Sequence, residues 1–356
     1  MLSREPAEPP PGQWAHLRLF ETSVPVDCRV TLGEGATPLQ EVPELAAALG
    51  VPGLLVKRED LSPTGSHKAR SLGLLISDLL SQGRRQAVIS SSGNAAIAAA
   101  AYSKAAGIRT LCLISPLIPR VKLEALLGHG ATVVASSRPV ELLHHASHRW
   151  GLADLRASTH RLGPVAYRGI AAELAEAGRW IAVFTFANSG ATALGLDQGF
   201  RLLGEESPQL HVVEGWPGGE LTRPWYRGST PRPGAGVGDL GTRRSRLTPA
   251  VRRAMRESGG RGWRVDRKQL DEVVELAAGL RPPTSWEGLA ALAAARQWAK
   301  TAHPKGPVGV LLTGASEQLD RTLHPDISQL VPVVETTSEL DRLLELAGFQ
   351  RAPAGD

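Results

Sequence analysis

Cysteine is nearly absent from this chain: Cys28 and Cys112 are the only two among 356 residues. That excludes a disulfide framework and makes a reducing, cytoplasmic setting the expectation. Long apolar runs are also missing, and none reaches the length of a membrane span, so no membrane role is expected. Met1 to Gly12 is rich in Pro and Glu and lacks the apolar centre of a secretory leader. No G-x-G-x-x-G follows a strand and no G-x-x-x-x-G-K-[ST] occurs, which removes the dinucleotide and P-loop readings. The net charge of +5 comes from arginines scattered along the chain, densest at Arg243-Arg244-Arg246 and Arg252-Arg253-Arg256, so no nucleic-acid partner is expected. His144 and His148 share the i, i+4 spacing of a chelating pair, but only Glu141 lies near enough to assist, and no metal site is expected.

Lysine is scarce as well. Seven of the 40 basic residues are lysines, and one of them, Lys68, sits in an unusual place. A short apolar strand ending at Val56 breaks at Ser62-Pro63-Thr64-Gly65, and a helix with apolar residues at 72, 75, 76, 79 and 80 follows from Lys68. The positive end of a helix disfavours an ammonium ion and so favours a neutral, nucleophilic amine. Two readings fit this local pattern: a Schiff-base lysine, or an anion-binding loop.

The rest of the chain alternates strands and helices, which predicts parallel pairing in an α/β fold. Strands are expected at 87–90, 110–114, 132–135, 181–186, 210–213 and 308–312. The 181–186 segment, apolar but for Thr185, reads as central. Helices are expected at about 95–106, 120–129, 140–150, 168–177, 193–203, 269–280, 286–300 and 339–346. Residues 1–25 read as an irregular arm, and 214–249, dense in Gly, Pro and Arg, as a long loop or lid.

Three loops stand at the carboxyl ends of predicted strands: Ser91-Ser92-Gly93-Asn94, Asn188-Ser189-Gly190-Ala191-Thr192 and Thr313-Gly314. In open α/β sheets ligands bind at that edge. The first two loops also open helices, whose free N–H groups suit carboxylate or phosphate. A lysine with two such cradles suits a cofactor bearing both an aldehyde and a phosphate, and pyridoxal phosphate has that chemistry.

On these motifs the chain resembles the fold-type-II pyridoxal-phosphate enzymes, the class of tryptophan synthase β, and most of all their threonine synthase branch. The resemblance covers roughly residues 30 to 320. It rests on 33–39 (Gly-Glu-Gly-Ala-Thr-Pro-Leu), Lys57-Arg58-Glu59-Asp60, Pro63 to Lys68, Ser91 to Asn94, Pro119 to Leu123, and Leu312-Thr313-Gly314. It implies two parallel-sheet α/β subdomains with the cofactor in the cleft: a large one from 1–88 and 166–356, and a small mobile one from 89–165. It also implies a homodimer acting on a small amino-acid substrate. In site terms it implies that Lys68 forms the Schiff base and carries protons. Asn94 would bind the ring hydroxyl, Asn188 to Thr192 would cup the cofactor phosphate, and Thr313 would meet the pyridine nitrogen. Ser91, Ser92 and Gly93 would receive the substrate carboxylate.

Several positions depart from the family pattern. Asn188 and Ala191 stand where glycines are expected, which predicts a crowded phosphate cup. His67 replaces the usual Phe and is read either as an extra donor to the phosphate or as a packed, satisfied histidine; Ala69 replaces an aspartate. The expected activity is a threonine synthase-like lyase. The alternatives are a serine/threonine dehydratase or β-replacement enzyme acting on O-phosphoserine or O-acetylserine types, and a catalytically weakened cofactor-binding partner subunit.

Overall fold

A computed structural model describes residues 12–204, 206–226, 245–316 and 322–351. The first sheet is built from β1 (Leu39–Glu41), β2 (Leu54–Lys57), β7 (Ala182–Phe186), β8 (Gln209–Gly215), β9 (Gly262–Val265) and β10 (Val308–Leu311). Their order is β1-β2-β10-β7-β8-β9, parallel throughout except for the β1–β2 pair. The second sheet, ordered β5-β4-β3-β6, holds β3 (Gln86–Ser90), β4 (Arg109–Ile114), β5 (Thr132–Ala135) and β6 (Ala153–Asp154), all parallel. Every residue of β7 is buried, as its apolar run and interior position require. Among the described residues no helix is long and apolar enough to cross a membrane.

The helices are α1 (Pro43–Leu49), α2 (Lys68–Ser81), α3 (Asn94–Ala105), α4 (Arg120–Gly128), α5 (Pro139–Trp150), α6 (Arg168–Ala177), α7 (Ala191–Leu203), α8 (Thr248–Glu257), α9 (Arg267–Leu276), α10 (Trp286–Ala302) and α11 (Thr337–Leu346). Helix α2 is buried continuously from Ala69 to Leu79, more than the one apolar face its spacing predicts. It packs closely on alanine-rich α3, whose small side chains allow the approach.

Two expectations are corrected. The predicted arm is not irregular where it is described: Gln13–Leu19 forms 3-10 turns, and Trp14, Leu19, Phe20 and Val24 are buried in the core shared with α2 and α3. Gln13 Nε2 donates to the buried Glu34 carboxylate at 2.5 Å, as do the Tyr102 hydroxyl at 2.5 Å and the Thr31 hydroxyl at 3.0 Å. Gly73 makes room for that carboxylate, since a Cβ there would lie 2.7 Å from Glu34 Oε1. The tail does not stay with the larger sheet. Pro332 and Val334 hydrogen-bond to Ala135 on the edge of β5, and Leu340, Leu344 and Phe349 join the core of the smaller sheet with Val88, Leu111 and Leu142. Burial of α11's apolar stripe against α5 drives that return. Of the 214–249 loop, residues 227–244 lie outside the described residues; 214–215 extend β8, and α8 begins at Thr248.

The family-like stretch 57–60 is a buried charge lattice. Arg70 Nε and Nη2 donate to Glu59 at 2.9 and 2.7 Å, and its Nη1 and Nη2 donate to Glu173 at 2.7 and 2.8 Å. Lys57 Nζ meets Glu173 Oε2 at 2.5 Å and donates to the Thr37 carbonyl. Burial works against the charge on Glu173, but Arg70 and Lys57 hold its carboxyl down at about 2.

A buried carboxylate whose pKa is depressed stabilises the fold fully above its unfolded value, here near 4.5. That contribution drains away as pH falls from there toward about 2. Glu173→Gln strands Lys57 and Arg70 and is expected to cost about 3–5 kcal/mol in denaturant melts at neutral pH. Its melts should also be less sensitive to pH in that acid window; equal acid slopes for the two proteins would refute the assignment.

Candidate functional site

A cavity of about 430 Å³ opens between the two sheets, within the usual size range for small-ligand sites. Its walls come from the carboxyl ends of β3, β7 and β10 and from the first turns of α2, α3, α7 and α10. Lys68, His67, Ser91, Gly93, Asn94, Asn188, Ser189, Gly190, Thr192 and Thr313 all line it, residues drawn together from across 246 positions of sequence. Ser92 and Ala191 are not on the walls. The Ser92 hydroxyl oxygen accepts the Ser115 N–H at 2.7 Å and ties the loop to the end of β4. Ala191 packs in the core with Leu221, Val251 and Met255.

Lys68 Nζ lies 2.8 Å from His67 Nε2 and 5.6 Å from the centre of the Tyr167 ring. His67 Nδ1 lies 2.8 Å from the Thr313 carbonyl, which can only accept, so Nδ1 carries the ring proton and Nε2 offers its lone pair to Lys68. Burial, and after it the charge of Lys68, hold His67 well below the usual histidine range, so the ring is neutral. Its one N–H is spent on Thr313, and a donor from His67 to a phosphate would require protonation at Nε2. Burial brings the Lys68 ammonium down to about 8, while the Glu287 carboxylate works in the opposite direction. The amine is thus available near neutrality, as imine chemistry requires. The His67–Thr313 tie also joins α2 to the end of β10, reinforced by the His67 N–H to Thr313 carbonyl bond at 3.2 Å.

Of the two non-glycine residues expected to crowd the loop after β7, Asn188 lines the cavity and Ala191 does not. Among the described residues only Glu21, Ala36 and His303 are non-glycines at positive φ, so Asn188 and Ala191 adopt ordinary backbone. The methyl of Ala191 is stowed in the core behind the loop, which corrects the expected crowding. Gly190 alone needs to be glycine: it has φ +86°, and a Cβ there would lie 2.7 Å from Val251 Cγ2. Helix α7 carries no side-chain cap, and its first internal bond is Leu194 N–H to Gly190 O. The preceding amides therefore have no partner within the helix and suit an anion. Helix α3 likewise starts without a side-chain cap. Asn94 Oδ1 is buried with no hydrogen-bond partner.

These features fit pyridoxal phosphate: an accessible amine, an uncapped helix end beside a glycine loop, and an orphaned amide oxygen on the wall. Lys68 would hold the aldehyde carbon, 188–192 the phosphate, and Asn94 the ring oxygen. Four further polar residues on the walls were not among the expected site residues. Lys122 stands within the 119–123 motif, and its Nζ lies 3.9 Å from where a Cβ of Gly93 would be. Arg156 is paired with Asp154 at 2.7 Å, Ser158 follows it, and Glu287 opens α10.

Gly190→Ala is expected to cost about 1–3 kcal/mol from the left-handed backbone alone. It should also weaken cofactor retention on dialysis at least tenfold, whereas Ala191→Gly should leave retention unchanged. Loss of cofactor in the Ala191 variant would place the phosphate elsewhere.

The sequence signature of the pyridoxal-phosphate dependent enzymes matches residues 30–314. Threonine synthase of Mycobacterium leprae is 40% identical over 106 residues, 30% of this chain and 29% of that protein. A human serine dehydratase-like protein is 32% identical over 121 residues, 34% of this chain and 33% of that protein. The chain thus aligns with about three tenths of the length of the curated relatives it matches. Maize serine racemase shares the fold with a TM-score of 0.68 at 18% identity, covering 87% of this chain and 93% of that one. With its two parallel-sheet layers and the lysine cavity between them, the chain belongs to the pyridoxal-phosphate dependent enzymes of fold type II, and pyridoxal phosphate is its cofactor.

Proposed function

We propose that this protein is a lyase-type enzyme that removes a leaving group from an amino acid in the manner of threonine synthase. The observation that carries the reading is Lys68: a lysine amine with a lowered pKa, in contact with a neutral histidine lone pair, between two uncapped helix ends. Pyridoxal phosphate, when bound, supplies an aldehyde that captures amines and a ring that draws electrons from the substrate's Cα.

The chain's own residues do the rest. The Asn188 to Thr192 loop and the start of α7 hold the phosphate. Ser91, Gly93 and the start of α3 orient the substrate carboxylate, with Ser92 bracing their loop. Asn94 and Thr313 set the ring. Thr313 presents a hydroxyl where a carboxylate would hold the pyridine nitrogen protonated, which favours elimination over transamination. With the cofactor held, Lys68 would take a proton from the substrate's Cα and then from Cβ, and His67 Nε2 would hold the ammonium in register by accepting from it. In the threonine synthase route, phosphate would leave Cγ and water would add its hydroxyl at Cβ, while the three protons released from Cα, Cβ and water would go to Cγ, to Cα and to the departing phosphate. The same resemblance implies a homodimer.

A second reading, β-elimination or β-replacement on serine, threonine or an O-activated serine, is supported by His67 and Ala69 and by the likeness to the serine dehydratase-like protein. A third reading, a catalytically weakened cofactor-binding partner subunit, rests on the altered cup; the Ala191 methyl packed in the core argues against it.

The purified holoenzyme is to be given O-phosphohomoserine, serine, threonine and O-phosphoserine in turn. Threonine plus phosphate from O-phosphohomoserine is the expected result, falling about a thousandfold in Lys68→Ala. Keto acid from serine or threonine would transfer the assignment to the second reading, and no turnover of any of them would end both. In the apoenzyme, capture of added cofactor should accelerate with pH and level off above about 8. Glu287→Gln should move that midpoint down, because the carboxylate favours the charged amine. A midpoint near 10.5 would mean that the amine is not sheltered.

A further inference from the structure

Tyr167 is fully buried and stands behind the cavity rather than on its walls. It closes the 3-10 turn Val165–Tyr167 that leads into α6. Helix α7 comes so near that a Cβ on Gly195 would lie 2.6 Å from the Tyr167 Cβ. From there the ring reaches forward to 5.6 Å from Lys68 Nζ and 5.5 Å from the His67 ring. Its hydroxyl donates to Ser71 Oγ at 2.9 Å, and the Ser71 hydroxyl donates in turn to the Lys68 carbonyl at 3.2 Å. Thr192 is a second polar neighbour of that hydroxyl. The ring is thus anchored at both ends, with its face toward the amine. Burial holds the phenol well above its ordinary range, against the pull of Ser71 and Thr192, so it stays protonated and is no base.

What the face can do follows from the charge on Lys68. Burial disfavours the ammonium form, yet a lysine that moves a proton must hold that form between taking the proton and giving it up. Among the other groups around the amine, His67 is neutral and Glu287 on α10 favours the charged form. Lys122 and Arg156 stand on the cavity walls, and Arg70 is balanced by Glu59 and Glu173. A carboxylate in contact with Lys68 would trap the proton. An aromatic face attracts an ammonium and does little for a neutral amine, so it supports the charged form without capturing it.

We propose that Tyr167 is a positioning residue for Lys68, its ring face steadying the ammonium that forms whenever the lysine carries a proton. The proposal rests on Lys68 as the cofactor lysine and deepens the lyase reading by naming what supports its proton carrier. His67 and Tyr167 then act on different aspects of one amine: the imidazole accepts a hydrogen bond along one direction, and the phenol ring attracts the charge itself. A tyrosine that only filled the core would leave the titration of Lys68 indifferent to the electronics of its ring.

Two changes in the full chain separate the face from the shape. Tyr167→Phe keeps the aromatic face, and pentafluorophenylalanine placed at the same position by codon suppression keeps the ring but removes its negative face. The pH midpoint for capture of added pyridoxal phosphate reports the amine without any turnover, and kcat and KM of the holoenzyme report the reaction. Tyr167→Phe is expected to keep the midpoint near 8. The fluorinated ring should bring it down by about one unit, because the charged amine loses its support. It should also lower kcat about tenfold while KM moves by less than about twofold. Equal midpoints for the two rings overturn the proposal, and so does a lowered midpoint with kcat unchanged. A lowered midpoint in a protein that turns over no amino acid supports the hold of the face on the amine and ends the lyase reading. Cofactor capture that survives Lys68→Ala would place the cofactor on another amine and overturn both.

Discussion

The two-sided clamp on Arg70 governs the position of everything else at the site. Its guanidinium is buried between Glu59, which follows β2, and Glu173 on α6, with Lys57 completing the balance of charge. Burying four ionised groups is costly, and their mutual attraction offsets that cost only if the geometry is maintained. What the lattice secures is register. Arg70 lies two residues beyond Lys68 on the first turn of α2, so the helix cannot rotate or slide without stranding a charge. The amine is placed by electrostatics one half-turn away from itself.

Much of this was legible in the sequence, and the reasons differ by residue. Lys68 announced itself because a strand, a Gly/Ser turn and a helix are local signals. The almost wholly apolar β7 read correctly as interior. The short strands β1, β6 and β9 did not, since two to four residues carry too little periodicity to be distinguished from loops. Ala191 was misjudged because the residue type was visible and its direction was not: its methyl enters a core assembled from α8 and the segment before it. Glu287 and Arg156 reach the cavity through tertiary contacts alone. The buried turns at 13–19 were read as an arm because the prolines nearby outweighed Trp14 and Phe20, which find their partners on α2 and α3.

His67 shows how one substitution redistributes roles. A phenylalanine before the lysine would only fill space. The imidazole instead spans from the Thr313 carbonyl to the Lys68 amine, linking the end of β10 to the first turn of α2. Because the Thr313 carbonyl fixes which nitrogen bears hydrogen, the face toward Lys68 is always an acceptor while the ring is neutral. The lysine thus has a standing acceptor for an N–H when it is free.

The return of the tail to β5 has a bearing on synthesis. The smaller sheet is not contiguous: its outer edge is closed by Pro332 to Val334, and its core by α11, after the whole larger sheet has been made. A chain emerging from the ribosome therefore carries β5 with an open edge across some two hundred residues of translation, the condition in which strands pair with the wrong neighbour. The Ser136–Ser137 turn beyond β5, which Glu335 later caps, waits equally long. The segment from Pro332 to Phe349 is thus what closes the smaller sheet, and loss of it would leave the larger sheet's strands in place and the β5 edge open.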